Sequence, residues 1–213
     1  MGTTDGEVER LVNSRKRVAD HGEVFTPALL VTDMLDLVKS ETERIYSRFL
    51  EPACGSGNFL IPILERKLAV VPARYGSGDF ERRHYAVLAL MCVCGIELLP
   101  DNAEECRPRL LGTFGKYLKS KEGDLWWRAA LRVLALNIVE GGALSMTTPD
   151  QEPIMFPEWG YLGQGKDQRR DFCYDALTQR SSILGTIGAP SGKHEAFVPV
   201  ATHPRMTVQE LAA

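Results

Sequence analysis

The chain has 213 residues and five cysteines, an odd number, with no Cys-x-x-Cys pair among them. That excludes the paired spacing of a zinc ribbon and an even disulfide frame, so no metal site is expected and a reducing, cytoplasmic setting is. Long hydrophobic runs are also missing. The longest, Ala86 to Ile96, falls well short of the ~20 apolar residues that cross a bilayer, so no membrane partner is expected. The N-terminus is polar and acidic, without the charged-then-apolar pattern of a signal peptide. A basic surplus is lacking too: 25 Lys and Arg stand against 28 Asp and Glu, a formal charge of −3. The isolated chain is therefore expected to bind duplex DNA only weakly. Three short basic clusters exist, Arg15-Lys16-Arg17, Arg82-Arg83 and Arg169-Arg170; each reads either as a solvated face or as a phosphate contact. There is no internal repeat.

What is present is enough for one core: 44% hydrophobic and 25% charged residues. Thr26 before Pro27 predicts a helix start, with Thr as N-cap and Pro at the first helical position. Leu29, Leu30, Met34, Leu35, Leu37 and Val38 then give that helix a broad apolar face. Residues 48–51 read as the first strand and 58–70 as a helix. The stretch 71–79, with Pro72, Gly76 and Gly78, reads as a loop. Residues 81–92 are helical, or helix then strand, and Gly95-Ile96-Glu97-Leu98 ends a strand. Helices are expected over 100–111 and 125–136. Ile154-Met155-Phe156 is a short candidate strand, 170–174 a strand or turn, and 181–192 a loop; the last twenty residues carry no clear signal. Cys92 and Cys94, in an apolar run, read as buried thiols. This alternation predicts an α/β fold with a mostly parallel sheet and helices on both faces. A ligand then belongs at the carboxyl ends of the strands.

Three segments converge on such a ligand. The first is Phe49-Leu50-Glu51-Pro52-Ala53-Cys54-Gly55-Ser56-Gly57-Asn58-Phe59-Leu60. An apolar strand runs through an acid and Pro into a Gly-rich turn that opens a helix. Gly55 and Gly57 remove two side chains there, so a ligand can lie against bare backbone near amide donors. The second is Glu97, at the tip of the next strand. An acid in that position accepts hydrogen bonds from ribose hydroxyls, although it lies about twice as far past the loop as the ~20 residues usual in dinucleotide folds. The third is Gly22-Glu23-Val24-Phe25-Thr26-Pro27, upstream of the loop, which by itself reads as a helix cap with free amides at the helix start.

Together these strings resemble the S-adenosylmethionine (SAM) motifs of the N6-adenine DNA methyltransferases of restriction-modification systems. The likeness covers about Arg15 to Ser145. It implies a Rossmann-like class I SAM-methyltransferase fold, with SAM or its demethylated product S-adenosylhomocysteine (SAH) as ligand. It implies a SAM-binding domain over 1–160, with 161–213 as its remainder plus a C-terminal loop or tail. It also implies cofactor contacts from Phe25, Thr26, Glu51, Ala53, Cys54, Gly55, Gly57, Asn58, Phe59, Glu97, Leu98, Gly142 and Ala143. In that pattern Thr26 bonds the methionine carboxylate, the loop approaches the amino-acid and sugar portion, and Leu98 packs on the adenine ring. An extra helix between the first two strands accounts for the long gap to Glu97.

Two departures matter. Where the family often has Gly-Asp-Ala-Leu, this chain has Gly141-Gly142-Ala143-Leu144, which removes one acid contact to the adenine amino group. The family's reaction centre, (Asp/Asn)-Pro-Pro-(Tyr/Phe), occurs nowhere in the sequence. The best positional match is Phe156-Pro157-Glu158-Trp159. In it Pro157 and Glu158 are candidate acceptors for the target amino group and Trp159 a candidate stack for a flipped base; the same residues also read as a strand end packed into the core. The segment after Trp159 is too short for a substantial recognition domain, so a protein partner supplying DNA sequence recognition is expected. Two readings stand. One is a SAM-dependent adenine methyltransferase acting on DNA in a restriction-modification or phage-type system. The other is a catalytically inactive SAM-binding regulatory or assembly subunit derived from such an enzyme.

Overall fold

A computed structural model describes residues 12–75, 78–176, 178 and 198–213. In chain order the elements are α1 (Arg15–His21), α2 (Ala28–Leu37), α3 (Lys39–Thr42), β1 (Phe49–Glu51), α4 (Leu60–Tyr75), α5 (Asp79–Met91), β2 (Val93–Glu97), α6 (Pro100–Leu118), α7 (Leu125–Asn137), β3 (Ile138–Glu140), β4 (Met155–Tyr161), β5 (Lys166–Cys173), β6 (Ala201–Thr202), β7 (Met206–Thr207) and α8 (Val208–Leu211). The loop expected at 181–192 lies outside the described residues.

β1, β2 and β3 form a parallel sheet in that order, with Phe49 opposite Val93 and Gly95 opposite Ile138. All three strands end in an acid: Glu51, Glu97 and Glu140. Alternation divides their side chains between two faces. Phe49, Val93 and Ile138 pack among the helices, in one cluster with Leu60, Leu64, Leu90, Leu110, Phe114 and Val133. Cys94, Ile96 and Val139 turn the other way, onto Ile154, Phe156 and Tyr174.

That second layer corrects the expectation of a mostly parallel sheet with helices on both faces. β4 and β5 pair antiparallel, Met155 opposite Cys173 and Tyr161 opposite Asp167, and β6 and β7 add to β5. The cause is local. The link from Tyr161 to Lys166 is short and holds three consecutive positive-φ residues, Gly163, Gln164 and Gly165. So tight a link joins antiparallel strands only, since a parallel return needs a crossover of a dozen residues or more.

Smaller corrections follow the same pattern. α4 runs through Pro72 to Tyr75, and α6 through Pro108 to Leu118, because packing of Leu64, Leu68, Val71, Leu110, Leu111, Phe114 and Leu118 outweighs the single bond each proline forgoes. The chain end is folded. Thr207 and Glu210 make a reciprocal capping box on α8, whose Val208 and Leu211 join the main cluster. No helix among the described residues is long and apolar enough to cross a membrane.

Candidate cofactor site

A cavity of about 540 Å³ opens beyond the carboxyl ends of the parallel strands, within the range of small-molecule sites. Its walls come from four places: His21 to Phe25 before α2; Pro52, Ala53 and Gly55 after β1; Glu97, Leu98, Leu99 and Asn102 after β2; and Gly141 to Ser145 after β3. Of the sequence-predicted contacts, Phe25, Ala53, Gly55, Glu97, Leu98, Gly142 and Ala143 line it.

The Gly-rich loop is built around its glycines. Gly55 has φ +52° and Gly57 φ +96°, conformations that side-chain-bearing residues adopt at a cost. A Cβ on Gly57 would stand 3.1 Å from Cys106 Sγ, and one on Gly55 3.3 Å from the Phe25 ring. Gly95 of β2 lies still closer: a Cβ there would meet Cys54 Sγ at 2.7 Å. The loop therefore lies directly on β2 and α6, with Phe25 against it.

Glu97 fastens the loop. Its carboxylate accepts from Gly55 N at 2.7 Å, Leu99 N at 2.9 Å and Asn102 Nδ2 at 3.4 Å, and the side chain is buried. Its backbone carbonyl accepts from Gly141 N at 2.9 Å. One residue thus joins the β1 loop, the start of α6 and the β3 loop. Three bonds leave at least one of a carboxylate's four acceptor positions for a ligand.

Glu23 is the second carboxylate of the cavity. Arg17 grips it at 2.6 Å through both Nε and Nη2, and Asn102 Nδ2 donates to it at 2.7 Å. The guanidinium beside it holds its carboxyl below the usual range, with Asn102 adding to the effect. Arg17 also pairs with Asp101, so its charge is spent inside the wall. Among the described lining residues the carboxylates are Glu23 and Glu97, and His21 is the sole basic side chain. That polarity suits a cationic ligand and disfavours a pyrophosphate. Leu98, Leu144 and Val24, all well exposed, give the rim an apolar surface for a flat ring.

Among the lining residues missed in the sequence are Glu23, Asn102 and Ser145. Asn102 was legible in principle, one turn beyond Glu97 at the start of a helix. Ser145 sits against Gly142 at the cavity wall. A Cβ on Gly142 would run into its hydroxyl, and Thr147 and the Gly142 carbonyl hold that hydroxyl at 3.1 and 3.2 Å.

Other expected contacts sit elsewhere. Thr26 is not the N-cap of α2; Pro27 occupies that position, without a side-chain cap, and Thr26 does not line the cavity. Glu51 and Phe59 face a separate apolar cavity of about 210 Å³ beside Met34 and Phe49, where burial pushes the Glu51 carboxyl up. Cys54 is buried beneath the loop in contact with Cys106; its thiol is pushed up by that hydrogen bond and by burial. Asn58 is held on the outer side of the loop by Arg109.

The proposed catalytic trio is displaced. Pro157, Glu158 and Trp159 lie within β4, and none lines the cavity. Trp159 is 4% exposed and donates through Nε1 to Asn137 Oδ1 at 3.0 Å, so it has no free face for a base. Glu158 is engaged by Arg48 and Arg170, and with Pro157 it borders a different, mostly apolar cavity of about 220 Å³. Pro157 and Glu158 belong to the seam between the two sheets and Trp159 to the packing of β4 on α7. No family model, curated protein or solved structure matches the chain.

Proposed function

We propose that this chain binds SAM in the cavity beyond β1, β2 and β3. On this reading the three parallel strands are the cofactor-binding half of a Rossmann-like class I methyltransferase fold, and the protein serves adenine methylation of DNA. The observation that carries the reading is the Glu97 carboxylate bonded to the Gly55 amide. It places a Gly-rich loop and a strand-tip acid side by side at one cavity mouth. The acidic lining supports a ligand that carries a sulfonium and an ammonium rather than phosphates.

The residues suit the parts of such a ligand. Glu97 is the acceptor for ribose hydroxyls. Leu98, Ala143 and Leu144 offer apolar surface to the adenine ring, and Ser145 a polar contact at its edge. Gly55 and Ala53 keep backbone open to the amino-acid arm, and Glu23 adds negative potential. Bound SAM supplies an electrophilic methyl group on sulfur; these residues hold and orient it.

A second reading is favoured by one specific observation: Pro157, Glu158 and Trp159 do not reach the cavity. It is a SAM-binding subunit that itself transfers no methyl group, the acceptor for the target amino group coming from a partner. Titration calorimetry with SAM and SAH tests the cofactor assignment, and micromolar binding is expected, about −8 kcal/mol at 1 μM. Absence of heat and of any thermal shift at millimolar SAM would end it. Transfer of labelled methyl from SAM to unmethylated DNA by the purified chain separates the two readings.

A further inference from the structure

α6 carries three side chains at spacings of four and three residues that put them on one helix face, the first toward the cavity's carboxylates and the other two toward the Gly-rich loop. Asn102 joins Glu23 to Glu97. Cys106 packs beneath Gly57. Arg109, one turn further on, donates through Nη1 to the Ser56 carbonyl at 2.7 Å, to Ser56 Oγ at 2.7 Å and to Asn58 Oδ1 at 3.3 Å. Glu105, in the preceding turn, lies 3.9 Å from the same nitrogen. Ser56 is buried, and neither it nor Asn58 nor Arg109 lines the cavity. The guanidinium therefore grips the loop from its outer side while Gly55 and Ala53 face the cavity.

We propose that Arg109 is a positioning residue for the cofactor loop, setting affinity for the amino-acid arm of the ligand without touching it. The physical reason is the loop's own freedom. With glycines at 55 and 57 it has many accessible backbone conformations, and ordering them on binding costs affinity. One charged donor bonded to a carbonyl, a hydroxyl and an amide oxygen removes much of that freedom beforehand. Charge-assisted bonds are the strong ones.

This inference rests on the SAM reading, and the test separates the two. SAH and 5′-methylthioadenosine share the adenosine portion; only SAH carries the amino-acid arm. Both are titrated into wild type, Arg109→Ala and Arg109→Lys, with thermal unfolding in parallel. Expected is a loss of about tenfold or more in SAH affinity for Arg109→Ala, methylthioadenosine affinity within about twofold of wild type, and partial recovery in Arg109→Lys. Unchanged SAH affinity in Arg109→Ala overturns the proposal. So does an equal loss for both ligands, which marks general damage to the cavity. Should Arg109→Ala fail to fold, Asn58→Ala, which removes one loop acceptor, carries the same comparison. If wild type binds neither ligand, the cofactor reading itself falls, and the positioning role with it.

Discussion

Glu97 carries a structural role beside the ligand contact proposed for it. Its place at a strand tip next to a Gly-rich loop was legible, because strand, turn and acid follow one another in a local pattern. What the sequence could not show is that the carboxylate already works within the protein, fastening Gly55, Leu99 and Asn102. Those bonds join residues distant in the chain. Glu97→Ala should therefore do more than remove the ribose contact proposed for it. It leaves the half-buried Gly55 amide without its charged acceptor, so stability should fall by roughly 1–3 kcal/mol, along with affinity for the proposed ligand. Glu97→Gln keeps an acceptor oxygen and should retain more of both. Urea unfolding beside calorimetry checks this; equal stability in wild type and Glu97→Ala would show that the carboxylate does not hold the loop.

Trp159 and Asp167 show where element pairing decides a role. Phe156 to Trp159 offered a Pro and an aromatic after an apolar pair, which fits a strand tip as well as a strand interior. The deciding information was the antiparallel partner β5, and the Gly163-Gln164-Gly165 turn that sets it was the available clue. Trp159 fills the seam between β4 and α7 and bonds Asn137, whose amide also donates to the carbonyls of Met91 and Val93 at 3.1 and 2.9 Å. Trp159→Ala should destabilise by roughly 3–5 kcal/mol, seen as a large fall in the unfolding midpoint. A stable Trp159→Ala protein that has lost only DNA affinity would restore the base-stacking role.

Where α5 meets the antiparallel sheet, His84 of α5 lies 3.6 Å from Asp167 of β5, with Phe80 stacked on the imidazole and Tyr161 tilted against it. Both side chains are buried. Burial pushes the Asp167 carboxyl up to about 7 and the His84 imidazole down. The two act in opposite directions. A raised acid binds its proton more tightly in the folded state, so its stabilising effect is complete below the unfolded value of about 3.9 and is lost as pH rises through about 7. A lowered histidine favours the folded state above about 6.5 and is lost as pH falls below it. Asp167→Asn removes only the first effect. It should gain on wild type by about 2–4 kcal/mol at pH 8 and by clearly less at pH 5. Unfolding curves at the two values check the sign, and a gap that stays constant with pH would refute it.

At the scale of the whole molecule the question is what this surface lets the protein touch. The charge of −3 already argued against tight duplex binding, and the structure sharpens that argument. The basic clusters that read equally as phosphate contacts are largely occupied. Arg17 pairs with Glu23 and Asp101, Arg82 and Arg83 with Asp79, Arg169 with Asp171, and Arg170 with Glu158. A phosphate must displace a carboxylate at each site, and every such exchange cancels much of the counterion-release gain that drives DNA binding. The isolated chain should therefore bind duplex weakly, with a log–log salt slope no steeper than about −3, the value for roughly three neutralised phosphates. A gel-shift series between 50 and 200 mM salt measures that slope. Site-selective binding should appear only with a second protein that contributes recognition, and base methylation only when that protein also brings an acceptor to the cavity mouth, since β4 does not. Tight, site-selective binding by the purified chain at physiological salt would overturn the first expectation. Labelled methyl on DNA incubated with the chain and SAM alone would overturn the second, and would mean that a group already beside Glu97 and the Gly-rich loop can receive the target adenine.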